Sequence, residues 1–173
     1  VELYEILVST SEEPETQAEL LKEIGQLQEL RLEDGAAAFG AYGRALRLAS
    51  DDEGVLETLE RLASEQDGWE ALVVLLEEQL GEFHDMDLAR LMSLRIGRIL
   101  EEEIFDRSRA IERFQLVLDL DPSDETALTS LDRLYQQEGR WEELAGILQE
   151  RILQEDEDEP RRELRYRLGK VYE

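Results

Sequence analysis

The sequence predicts an all-α fold, a solenoid of antiparallel helix pairs with about ten helices across residues 1–173. Three observations carry this. Leu, Ala, Glu, Arg and Gln dominate, all strong helix formers, against only three prolines and eleven glycines. No β-branched run bounded by turn residues occurs, so no strand is indicated. Finally, the chain repeats itself: shifted by 72 residues, it falls onto its own apolar positions without a gap.

In that register Gly25, Gly97 and Gly169 align, each preceded by an aliphatic residue (Ile24, Ile96, Leu168) and followed two residues on by another (Leu27, Ile99, Val171). Ala38 meets Ala110, Tyr42 meets Phe114, and Leu46 meets Leu118. Leu59 and Leu62 meet Leu131 and Leu134. The only two tryptophans, Trp69 and Trp141, are two copies of one position, followed by Leu72 and Leu76 in one copy and Leu144 and Leu148 in the other.

The elements follow in order. A first helix over 1–10 carries Leu3, Ile6, Leu7 and Val8. After the acidic linker "SEEPE" a second covers 16–32, and a third covers 35–48 around Ala38 and Tyr42. Helices over 52–66 and 68–82 follow, the latter headed by Trp69. Periodicity then runs over 87–104, breaks at "FDRS", resumes over 107–120 and stops at "DPSD". The stretch 124–138 turns at Glu138-Gly139-Arg140 into 140–155. Past the acidic linker "EDEDEP", a last helix covers 161–173. Each 72-residue block is therefore two helix pairs, giving units near 16–50, 51–85, 87–122 and 123–159 with partial repeats at both ends.

Leu131, Tyr135, Gly139, Trp141, Leu144 and Leu148 are spaced as in the tetratricopeptide repeat (TPR), which the chain resembles along nearly its whole length. Ile96-Gly97, Leu100, Ala110, Phe114 and Pro122 resemble it too, with one extra residue in the turn before Ala110. The resemblance implies a single right-handed superhelix in which each pair buries its apolar face on its neighbours. It also implies that the first helix of each pair lines a concave groove where a partner peptide or helix docks. Carried over by position, the groove residues after the glycine or its equivalent are Gln26, Arg61, Arg98, Arg133 and Lys170. One turn earlier come Lys22, Glu57, Leu94, Thr129 and Tyr166, with Leu91 bordering them. A basic column of this kind suits an acidic or carboxylate-bearing peptide, since Arg donates bidentate hydrogen bonds. Against this, Arg61 lies four residues after Glu57 and Arg98 four before Glu102, spacings that also suit ordinary ion pairs along one helix. Lys22 and Gln26 loosely resemble the opening of a carboxylate clamp, but the later positions do not follow that pattern.

Net charge is −25, from 44 acidic and 19 basic side chains. Such a charge repels nucleic-acid backbones and anionic membranes. Cysteine is absent, which excludes disulfides and thiolate chemistry. No apolar run approaches the ~20 residues that span a bilayer, which suits a soluble protein; the compartment is left open, with the cytoplasm the preferred expectation. The chain opens on Val1 and stops within a helical pattern, reading as a segment of a longer protein whose end helices expose apolar stripes. Homo-oligomers through those helices are expected. No Gly-rich phosphate loop or recognisable nucleophile occurs, so catalysis and cofactors are not indicated. The acidic linkers lack the spacing of a calcium loop, and the only histidine, His84, reads as an exposed linker residue. The function expected is a non-catalytic protein-interaction scaffold; the alternative is a structural spacer or self-associating segment.

Overall fold

The computed structural model describes residues 1–81 and 85–173, so His84 lies outside the described residues. These residues form ten α-helices and no strand. Contacts divide the chain into two compact units, Val1–Phe83 and His84–Glu173. The first holds α1 (Glu2–Thr10), α2 (Pro14–Leu32), α3 (Gly35–Leu48), α4 (Glu53–Gln66) and α5 (Trp69–Leu80). The second holds α6 (Met86–Glu102), α7 (Arg107–Leu120), α8 (Glu125–Glu138), α9 (Trp141–Gln154) and α10 (Asp158–Val171). None of these helices is long and apolar enough to cross a membrane.

The 72-residue register is carried by the backbone itself. α2, α6 and α10 start at Pro14, Met86 and Asp158, and the pairs α3/α7, α4/α8 and α5/α9 start at equivalent residues. The stop signals recur as well. Glu33 and Phe105 both adopt the left-handed conformation, with φ of 53° and 62°, as do Asp67 and Gly139 at 53° and 67°. Asp34 and Asp106 each accept a hydrogen bond from the third amide of the next helix, and Asp52 and Asp124 do the same. Caps of this kind contribute about 1 kcal/mol each.

Two helix starts differ most from the sequence expectation. α2 begins at Pro14 and α10 at Asp158, two and three residues early, so the linkers shrink to 11–13 and 155–157. Proline is tolerated in a first turn because its missing N–H has no partner there anyway. The carboxylates of Asp158 and Glu159 favour the positive end of the helix dipole. Thus part of each acidic stretch is helix rather than loop.

Within each unit, each helix packs on the next along the chain. In the first unit ion pairs tie α2 to α4 (Lys22–Asp52, Glu29–Arg61), α1 to α3 (Glu5–Arg44) and α3 to α5 (Arg47–Glu78); Val8, Leu21, Ile24, Ala41 and Ala45 join α1, α2 and α3 in one core. In the second, α6, α8 and α10 form one layer against α7 and α9. The tightest pairs, α2 with α3 and α6 with α7, depend on a missing side chain. A Cβ built on Gly25 would stand 2.7 Å from the Tyr42 ring, and one on Gly97 2.8 Å from Phe114. Of the end stripes, Val8 and Leu164 are buried in their own units, whereas Leu3, Ile6 and Leu7 are exposed.

Phe105 is 78% exposed and sits in the left-handed region, which costs an L residue about 1–2 kcal/mol. Phe105→Gly removes that strain while losing little burial. Its expected effect is a net gain of about 1 kcal/mol, or roughly 2–4 °C in a thermal melt.

Candidate functional site

The residues expected to line the groove lie on α2, α4, α6, α8 and α10, and most of their charges are engaged. Arg61 of α4 donates to Glu29 of α2 at 2.7 Å and to Glu65 at 2.9 Å, not to Glu57. These partners raise its pKa, the Glu65 hydrogen bond foremost. The equivalent Arg133 of α8 donates to Glu101 of α6 at 2.9 Å. Burial pushes the Glu101 carboxyl above the usual carboxylate range, against the opposing pull of Arg133. Lys22 bridges Glu19 at 2.5 Å and Asp52 at 3.0 Å, and both raise its pKa. Gln26 is exposed on α2.

Asp52 and Asp124 each use both carboxylate oxygens. Asp52 accepts from the Val55 amide on Oδ1 and from Lys22 on Oδ2; Asp124 accepts from the Ala127 amide on Oδ1 and from Arg90 on Oδ2. Each therefore caps its own helix and ties it to the neighbouring one.

Four expected residues converge on one cleft of about 290 Å³ between α6 and α8. Leu91, Leu94 and Arg98 line its α6 side, and Arg133 its α8 side. Thr126 and Ser130 complete the α8 side; Thr129 is exposed but is not among the lining residues. Leu91 is 53% exposed, an apolar side chain in a cleft that also carries Arg95, Glu101 and Glu102.

The remaining two, Tyr166 and Lys170, belong to a different cleft of about 480 Å³, lined also by Trp141, Leu144 and Leu148 of α9 and Val171 of α10. Lys170 Nζ stands 5.4 Å from the centre of the Tyr166 ring, a cation–π distance. Trp141 leaves 52% of its surface exposed at this cleft. The repeat register locates Trp141 but carries no sign that Tyr166 would face it.

Beneath this cleft lies a charge cluster that sequence reasoning missed. Asp132 of α8, 4% exposed, receives Arg151 of α9 at 2.7 Å and a two-pronged contact from Arg167 of α10 at 2.9 and 2.5 Å. The Asp132 hydrogen bond raises the Arg167 pKa. No group of three or more potential metal-ligating side chains converges among the described residues.

No protein-family model matches the chain, and no curated protein matches it.

Proposed function

We propose that the chain is a non-catalytic protein-interaction scaffold of tetratricopeptide type, its helix pairs continuing into a right-handed superhelix that receives a partner segment. The observation that supports this reading is the α6–α8 cleft, where Leu91 and Leu94 lie with Arg98 and Arg133. A peptide that offers an apolar side chain could seat it beside Leu91 and Leu94, while its carboxylate would compete with Glu101, which already holds Arg133, and with Glu102 in the same cleft. A second reading, the structural spacer, draws support from the ion pairs of Lys22, Arg61 and Arg133, which tie neighbouring helices together.

Charge reversal at Arg133 is a poor probe, because it would set a carboxylate against Glu101 and lower stability. Leu91→Glu combined with Thr126→Glu alters two exposed lining residues instead. The expected result is a partner captured from lysate by the native chain and lost from this variant, with helicity and melting temperature unchanged. Equal capture by both would remove the cleft from the binding surface. Absence of any specific partner would make the spacer the better reading.

A further inference from the structure

The 72-residue register sets the α6–α8 cleft beside the same positions of α2 and α4, and the two differ in kind. Leu91 and Leu94 stand where α2 has Glu19 and Lys22. Lys22 ties α2 to Asp52 of α4. In the second unit that tie is made by Arg90, one turn earlier, which holds Asp124 of α8. Position 94 is thereby released from bracing the helices, and a half-buried leucine occupies it.

A second contrast lies across the cleft. Thr58 of α4 donates its hydroxyl to the Gly54 carbonyl at 2.8 Å, within its own helix. Its counterpart on α8, Ser130, is 9% exposed and lines the cleft, and its hydroxyl makes no hydrogen bond among the described residues. Buried hydroxyls are ordinarily paired, because an unmade hydrogen bond costs stability. The charged groups here are already engaged: Arg133 holds Glu101, and Arg95 and Arg98 have partners within the chain. Exposed Glu102 lines the same cleft and repels an anion.

Building on the scaffold reading of this cleft, we infer that it takes an uncharged, aliphatic segment of a partner protein in extended form. An aliphatic side chain packs on Leu91 and Leu94, and a backbone carbonyl accepts from the Ser130 hydroxyl. A helix bonds its own backbone groups, so the segment that offers a carbonyl here is extended. An acidic peptide, or a chain's terminal carboxylate, is refused by Glu101 and Glu102.

The probe is N-acetyl-leucine N-methylamide, a leucine side chain between two neutral peptide groups. It is titrated into the isotope-labelled full chain and followed by amide chemical shifts. N-acetyl-leucine, which ends in a carboxylate, is its control. The neutral probe should shift α6 and α8 amides around the cleft and bind at least threefold more tightly than the control. Ser130→Ala should weaken it about fivefold, the scale of one neutral hydrogen bond. Ser130→Cys, which keeps the side-chain volume, should weaken it in the same sense. Thr58→Ala, whose hydroxyl is bonded within α4, should leave it unchanged.

Equal or tighter binding of the carboxylate would overturn the preference for an uncharged segment. Undiminished affinity in both Ser130 variants would overturn the role of the hydroxyl. Shifts absent from α6 and α8 up to the solubility of the probe would overturn the site altogether. Lysate capture supplies the separation from the scaffold reading. If it is lost with Leu91→Glu and Thr126→Glu while the Ser130 variants keep both capture and probe affinity, the scaffold stands and this specificity falls. Capture indifferent to every one of these substitutions removes the cleft from both.

Discussion

Asp132→Ala lowers the stability of the second unit by about 3 kcal/mol, an expectation set by what the carboxylate leaves behind. Asp132 is 4% exposed and balances Arg151 and Arg167 at once. Without it, two guanidinium groups that are themselves largely covered face each other with no counter-charge. Some of this cost is recovered as the arginines turn toward solvent, which keeps the figure at the lower end of that for a broken buried pair. Urea denaturation of the native chain and the variant measures the loss directly. Asp132→Ala combined with Arg151→Met and Arg167→Leu should recover most of it, because removing all three charges leaves none unpaired. A single substitution costing under about 0.5 kcal/mol, the scale of an exposed pair, would show that the cluster is held by water.

Gly97→Ala has the next largest expected effect. The added Cβ would stand 2.8 Å from Phe114, a fully buried ring, so either the ring or the α6–α7 packing must shift. Overpacking of this order costs about 2 kcal/mol, which exceeds the ~1 kcal/mol that alanine gains over glycine within a helix. Gly169→Ala isolates that gain, since its Cβ meets no described atom within 4 Å. The two substitutions should therefore move the melting temperature in opposite directions. Phe114→Leu added to Gly97→Ala should restore part of the loss, because the smaller side chain makes room.

The helices were legible because apolar periodicity and the 72-residue register are written along the chain, one residue after another. The two misplaced starts, at Pro14 and Asp158, arise where proline and acidic residues suit a first turn as well as a linker. The candidate groove was legible only in part. Leu91, Leu94, Arg98 and Arg133 line one cleft, and Thr126 and Ser130 rather than Thr129 lie on its α8 side, a matter of the rotation of α8 that periodicity alone leaves open. Arg61 and Arg133 find partners 32 residues away, at Glu29 and Glu101. Such partners depend on how two helices cross, and pattern within a single helix holds no record of it. The cluster on Asp132 is hidden for the same reason, since its three members come from three helices.

The double use of Asp52 makes one proton act in two places. Burial pushes its pKa up, but hydrogen bonds from Lys22 and the Val55 amide outweigh this and hold it below the ordinary 3.8. Its contribution is therefore complete above that value and is lost as pH falls through the lower, native one. Once protonated, the side chain loses its hold on Lys22 and weakens as an acceptor for the Val55 amide at the same moment. Loss of the α4 cap and loss of the Lys22 tie to α2 are thus one acid-triggered event, like a latch and a hinge pin drawn by the same hand. Salt can screen the Lys22 contact without disturbing the cap, so ionic strength and acidity distinguish two functions that share a single carboxylate.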